Sequence, residues 1–140
     1  MIETSLLLHR IVYALDRAAD RLLREGVGIS HGRAALLRAI AVGGRKNQHE
    51  LARVLGHTDP AVTAMIKELA AAGMVEVTPD PQNGRRRIVT LTRAGADVVA
   101  RATAILDAAM TDLVAAAAVD TRVLDVELRK IDTLLNPKGL

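Results

Sequence analysis

Three consecutive arginines, Arg85, Arg86 and Arg87, follow the turn-forming stretch Asp80-Pro81-Gln82-Asn83-Gly84. Upstream of them lies Gln48–Met74, QHELARVLGHTDPAVTAMIKELAAAGM. Guanidinium groups at a hairpin tip suit a polyanion: one can enter a minor groove while its neighbours hold phosphates. Side chains alternate along a strand, so Arg85 and Arg87 are expected to share a face more readily than all three together. The upstream stretch carries polar and small groups at helical spacing. Thr63 can donate or accept at a base edge, Lys67 can meet a phosphate or a guanine edge, and Ala61 and Ala64 can touch a thymine methyl. Thr58, Asp59 and Pro60 complete the outward positions, although Thr58 and Asp59 serve equally well as helix caps. Ser30, Arg33, Arg45, Lys46 and Asn47 add candidates for backbone contacts, and His57, in a turn, can reach a phosphate. This is recognition chemistry, in which no bond is made or broken. The blander alternative for the arginines is a solubilising charged loop; the helix pair directly before them argues against it.

Bond-making chemistry finds little support. The four histidines, His9, His31, His49 and His57, are scattered, without HExxH spacing, and the chain has no cysteine. A metal ligand set, a thiol switch and a structural disulfide therefore find no support in the sequence. Neither a glycine-rich phosphate loop nor a nucleophile elbow is present, so no catalytic residue and no cofactor is expected.

Recognition needs elements that position these side chains. Gln48–Leu55 presents Leu51, Ala52 and Leu55 to a core, and Gly56 follows as a left-handed terminator. Thr58 then caps a second helix, in which Pro60 costs no hydrogen bond and Val62, Met65, Ile66 and Leu69 form the inward stripe before Gly73. Val75–Pro79 and Arg86–Leu91 are expected to pair as an antiparallel hairpin, with Asn83-Gly84 as the strongest local signal for the reversal. Ahead of this module, an amphipathic helix carrying Leu8, Ile11, Val12, Leu15, Leu22 and Leu23 should stop near Glu25–Gly28. Ser30 caps a helix over Arg33–Val42, ended by Gly43-Gly44, with Arg45–Asn47 as a link. Beyond the module, Thr92 caps a long helix towards Ala118, with Val98, Ala102, Ile105, Leu106, Ala109, Leu113 and Ala117 inward. Asp120 caps a last helix bearing Val123, Leu124, Leu128, Ile131, Leu134 and Leu135, stopped by Pro137 and Gly139. The end helices have no apolar partner in the small central module, so their faces imply self-association.

Composition agrees with this arrangement. Half of the 140 residues are hydrophobic but Tyr13 is the only aromatic, which favours a core of packed aliphatic helices. Lys plus Arg against Asp plus Glu runs six to four over residues 1–42, eight to five over 43–95 and five to seven over 96–140. The basic middle suits a polyanion, although the net charge of +3 is weak evidence alone. The N-terminus lacks a signal-peptide pattern, and the apolar run Leu113–Val119 is too short to span a membrane. A cytoplasmic protein with no membrane partner is expected. The fold class read here is mainly α with a small β-hairpin wing: a winged helix-turn-helix with N- and C-terminal dimerisation helices. Its expected divisions are residues 1–28, 29–92 and 93–140.

The segment VTAMIKELAAAGMV (Val62–Val75), the wing DPQNGRRRIVTLT (Asp80–Thr92), the TRAG stretch from Thr92 and the two helical arms after it resemble the MarR family of winged helix-turn-helix transcription regulators. The resemblance spans nearly the whole chain. It implies a homodimer built by the first and last helices, with paired wings flanking a palindromic double-stranded operator. It assigns Thr58 to the start of the recognition helix, Thr63 to its groove face, Asp80 and Gly84 to shaping the wing, and Arg85 to the wing tip. Common relatives carry a basic residue where Ala64 lies and two arginines beginning where Gly84 lies, so the basic run sits later here. Many relatives bind small aromatic or phenolic effectors between the dimer arms and the DNA-binding module; His9, Tyr13, Arg17, Ile40 and Val62 are the corresponding candidates. The expected function is a dimeric repressor released by such an effector. A low-specificity architectural DNA-binding protein is the alternative, and a protein-only adaptor a more distant one.

Overall fold

The computed structural model describes residues 1–43 and 46–137, so the expectations placed on Gly44, Arg45 and Gly139 lie outside the described residues. The elements run α1 (Ile2–Val27), α2 (His31–Val42), β1 (Lys46–Asn47), α3 (Gln48–Leu55), α4 (Asp59–Ala71), β2 (Val75–Asp80), β3 (Asn83–Leu91), α5 (Arg93–Ala116) and α6 (Thr121–Leu135). The fold is mainly α-helical with a small β wing. It divides into two compact units, Met1–Ile105 and Leu106–Leu140.

Local chemistry starts and stops these helices. Ser30 Oγ accepts the Arg33 N–H at 3.2 Å and opens α2 at His31, two residues earlier than expected. Asn47 closes a capping box: its Oδ1 accepts the Glu50 N–H at 2.9 Å, and Glu50 Oε2 accepts the Asn47 N–H at 2.9 Å. Asp120 Oδ1 accepts the N–H groups of Arg122 and Val123 at the head of α6.

The sheet departs from the expected hairpin in two ways. It has three strands in the order β1-β3-β2, all antiparallel, because Lys46 and Asn47, expected to be a link, pair with Val89 and Ile88. A two-residue strand is too short to show an alternating pattern. The reversal also moves. Asp80 pairs with Asn83, so the chain turns at Pro81-Gln82, with Asp80 Oδ1 accepting the Gln82 N–H at 2.9 Å. Proline's preset φ and an aspartate that bonds two residues ahead outcompete the Asn83-Gly84 pair, and Gly84 does not adopt positive φ. The ladder runs regularly from Val75↔Leu91 to Pro79↔Arg87 and then slips, which leaves Gly84, Arg85 and Arg86 as extra residues on β3.

The core of the first unit lies between α2, α3, α4 and the sheet. Leu36, Leu37, Leu51, Val62 and Val89 are fully buried, with Ile66, Leu69 and Val75 close behind. Each such side chain contributes about 1.5–3 kcal/mol by leaving water. Met65, expected inward, is only half-buried. Arg33 ties α2 to α4 through Glu68, with Nε donating to Oε2 at 2.8 Å. The junction into α5 is tighter. Thr92 Oγ1 donates to the Gly73 carbonyl at 2.6 Å and accepts the Gly95 N–H at 3.1 Å, while the Thr92 N–H donates to the Met74 carbonyl. One threonine thus caps α5 and clamps the end of α4.

Helix α1 buries Leu23 but exposes Leu6, Leu7, Leu8, Ile11 and Val12. In α5, Gly95 and Ala102 are buried, and Val98, Ile105, Leu106 and Ala109 are half-buried. Leu113 and Ala117, expected inward, are exposed, and α6 buries no residue. Leu113 and Ala117 thus face solvent in a single copy, as do the apolar positions of α6. No single helix among the described residues is long and apolar enough to cross a membrane.

Candidate nucleic-acid interface

Helices α3 and α4 are joined by a tight turn. Gly56 takes φ 65°, ψ 28°, a conformation that costs a side-chain-bearing residue strain, and the His57 N–H donates to the Ala52 carbonyl at 2.9 Å. Thr58 then caps α4, its Oγ1 accepting the Ala61 N–H at 3.4 Å. Ala52 is buried, so the two helices approach closely.

The two faces of α4 separate cleanly. Val62, Ile66 and Leu69 are buried, whereas Thr58, Asp59, Pro60, Ala61, Thr63, Ala64 and Lys67 are all exposed. The outward set read from the sequence is therefore displayed on one side of a helix locked from behind. Thr63 is not free-standing: its Oγ1 donates to Gln48 Oε1 at 3.2 Å. His49 Nδ1 lies 3.1 Å from Asp59 Oδ2, a second link between α3 and the head of α4.

The wing stands beside this face. An open recess of about 410 Å³ is lined by Asn47, Gln48 and His49 from the start of α3, Asp59 from α4, and Arg85, Arg86 and Arg87. All three arginines reach the same recess. This corrects the expectation that strict alternation would set Arg86 apart: the register slip at Pro79/Asp80 removes the alternation on which that rested. Arg86 also borders a second recess, of about 300 Å³, with Asp80, Pro81 and Gln82. The tip itself is shaped by Asp80 and by Asn83, whose Oδ1 accepts the Arg85 N–H at 3.2 Å. Three guanidinium groups against one carboxylate make the main recess an anion-attracting site.

Other candidates are placed differently. Ser30 is buried and its hydroxyl also accepts from Arg33 Nη1 at 3.1 Å, so it is a structural cap and not an open contact. Lys46 is half-buried, with Nζ donating to the Ala39 carbonyl at 3.3 Å. Asn47 caps α3 yet still lines the recess. His57 is exposed in the turn. Gln48 and His49 were not singled out from the sequence. Their position at a helix start is a local signal, but their contacts with Thr63 and Asp59 lie fifteen and ten residues away.

The effector candidates divide. Ile40 and Val62 are core residues, 3% and 0% exposed, and cannot line an open cleft in this conformation. Their helical spacing marked them as inward-facing, without telling a core from a cavity wall. His9 is exposed on α1. Tyr13 and Arg17 come together, with Arg17 Nη1 donating to Tyr13 Oη at 3.2 Å and the guanidinium 5.7 Å from the ring centre. They line an open cleft of about 770 Å³ with Asp16, Asp20, Arg21, Arg24, Glu25 and His31. There Asp20 accepts from Arg24 at 2.7 Å and from the His31 N–H at 2.9 Å, and these two bonds, the first the larger, hold its carboxyl below the usual range. His31 Nδ1 is buried with no hydrogen-bond partner among the described residues. No group of three metal-binding side chains occurs among the described residues.

Residues 27–86, which hold α2, the helix pair and the tip of the wing, match the model of the MarR family. The chain has a winged helix-turn-helix fold, and over this segment it is similar to the MarR family. Solved structures carry the likeness across both ends. A MarR-family transcriptional regulator from Rhodococcus sp. RHA1 superposes with a TM-score of 0.86 at 22% identity, covering 99% of this chain and 96% of that one. BldR, a transcriptional regulator from Sulfolobus solfataricus, gives 0.85 at 20% identity, covering 97% and 94%. CouR from Rhodococcus jostii RHA1, solved bound to p-coumaroyl-CoA, gives 0.84 at 20% identity, covering 98% and 94%. No curated protein sequence matches the chain.

Proposed function

We propose that this chain is a MarR-family regulator: a homodimeric, sequence-specific repressor, cytoplasmic, that holds a palindromic duplex operator and releases it when a small aromatic or phenolic effector binds. The observation that carries the reading is the adjacency of two surfaces: the exposed outward face of α4 and the recess lined by Arg85, Arg86 and Arg87. A helix locked from behind by Val62 and Ile66 can enter a major groove, while the arginines hold the neighbouring phosphates. Phosphate contacts supply affinity and position; base edges supply the choice of sequence.

Dimerisation is supported by the uncovered aliphatic side chains of Ile11 and Val12 on α1 and of Leu128 and Ile131 on α6. Surface of this kind in a regulator fits a second copy, and a two-fold pair would place its recognition helices at half-sites about 34–36 Å apart. Effector release is supported by the Tyr13–Arg17 cleft, which sets an aromatic ring beside a guanidinium group in an open space of about 770 Å³, and by CouR having been solved with p-coumaroyl-CoA. His9 stands on the same helix. A ligand that prefers one spacing of the two wings would shift the population away from the bound state.

Selection of bound fragments from random and genomic DNA tests the reading, repeated with a variant carrying Arg85→Ala and Arg87→Ala. The natural chain should enrich an inverted repeat, and the variant should retain less DNA of every sequence. Equal retention of unrelated fragments by the natural chain would replace this proposal with an architectural role.

A further inference from the structure

We infer that Gln48 and Thr63 act as one base-reading unit that selects adenine in each half-site. The inference rests on the DNA-binding reading above. Its starting point is the hydrogen bond from Thr63 Oγ1 to Gln48 Oε1 at 3.2 Å, which joins the first residue of α3 to the exposed face of α4. A threonine hydroxyl has one hydrogen and two acceptor lone pairs, so in isolation it satisfies either kind of base edge and discriminates poorly. Here the hydrogen is committed to Gln48. What Thr63 offers outward is therefore an acceptor only.

Gln48 supplies the complement. Its carbonyl oxygen is occupied by Thr63, while its amide N–H groups have no hydrogen-bond partner among the described residues. The pair as a whole thus presents one acceptor beside one donor. In the major groove adenine offers the matching edge, a donor at N6 beside an acceptor at N7. Guanine offers two acceptors, O6 and N7, and would set O6 against the Thr63 oxygen. Thymine offers an acceptor and a methyl group, and cytosine a single donor. Adenine alone satisfies both halves of the pair on one base.

The position suits this role. Gln48 also lines the recess that holds Arg85, Arg86 and Arg87, so it stands between the phosphate-holding wing and the outward face of α4. Thr63 is held in place from behind by the buried Val62. The bond between the two side chains holds the donor and the acceptor side by side, which favours discrimination over mere affinity.

The test is selection from random duplex DNA by the full-length chain, alongside Gln48→Ala, Thr63→Val and Thr63→Ser variants, with unfolding midpoints recorded for each. The natural chain is expected to enrich an inverted repeat containing an adenine preferred over guanine by about tenfold at one position of each half-site. Thr63→Val should lose that preference and Thr63→Ser should keep it. Gln48→Ala frees the Thr63 hydroxyl to donate, so guanine and thymine should become tolerated there while the rest of the repeat is unchanged. An identical base preference in all four proteins would overturn the inference while leaving the regulator reading intact. A uniform loss of affinity in Gln48→Ala and Thr63→Val, with no change of preference, would reduce the pair to a structural link. If the natural chain enriches no repeat, the regulator reading fails and this inference falls with it.

Discussion

Gly95 packs directly against the carbonyl group of Met74, so that a Cβ at position 95 would overlap the oxygen and come within 3.0 Å of the carbonyl carbon. The contact brings the first turn of α5 onto the end of the segment that leads from α4 into the wing. It accounts physically for the Thr92–Gly95 stretch: threonine caps the helix and clamps Gly73, and glycine permits the approach.

Gly95→Ala should therefore destabilise the fold by about 1–3 kcal/mol, the usual cost of forcing atoms into a packed site against backbone that cannot give. Gly26→Ala makes the contrast, because the atom in its way is the flexible end of Ile105. Denaturant midpoints of the two variants should differ clearly, with Gly26→Ala much nearer the natural chain.

Asn47 has a cap to make and a recess to line, and substitutions separate the two. Asn47→Ala should cost about 1 kcal/mol in unfolding free energy through loss of the N-cap. Asn47→Asp should keep most of that stability, since aspartate caps as well, but lower DNA affinity by placing a carboxylate among three arginines. Unfolding and duplex binding measured on the same preparations check both halves.

Arg85, Arg86 and Arg87 are exposed, so removing any one should leave unfolding within about 0.5 kcal/mol of the natural chain. Each arginine that holds a phosphate should reduce the slope of log affinity against log salt by about 1 when changed to alanine. Titration of one duplex at several salt concentrations measures that slope directly.

The Asp20 carboxyl is held low by the bond from Arg24 and then by the His31 N–H. Unfolded, an aspartate titrates near about 3.9. Because the folded value lies below that, the ionised group stabilises the fold fully above the unfolded value and loses its contribution as pH falls through the folded one. Asp20→Asn should thus unfold more readily than the natural chain near neutral pH. The gap should close well below about pH 4.

Self-association is tested on the exposed faces. The chain should sediment as a dimer of 14.9 kDa subunits, and Leu128→Glu with Ile131→Glu on α6, or Ile11→Glu with Val12→Glu on α1, should give monomers that retain helical content. DNA affinity should fall with dimer loss, since one copy engages a single half-site. A natural chain that sediments as a monomer would remove the dimeric reading.

Most of the helical architecture was legible because its signals are local. Ser30, Thr58 and Asp120 each accept from backbone two or three residues ahead, and Gly56 ends α3 through its own φ, so residue type and short spacing are enough to locate them. The faces of α4 were legible for the same reason, since helical periodicity alone sends Val62 and Ile66 inward and Thr63 and Lys67 outward. Where two local signals competed, the outcome was less accessible: Asp80-Pro81 took the turn from Asn83-Gly84, and the resulting slip carried Arg86 into the recess beside Arg85 and Arg87.

By itself, the sequence determined the helices, their caps, the basic wing and the polar face of α4, because each depends on groups a few residues apart. Tertiary structure alone decided that Lys46 and Asn47 join the sheet, that the inward-facing Ile40 and Val62 pack into a core and do not line a cleft, and that Gln48 accepts the hydrogen bond of the Thr63 hydroxyl. Those pairings join residues far apart along the chain. They exist only once the packing of α2, α3 and α4 has brought the partners within bonding distance, and no short-range pattern of residue types encodes that distance.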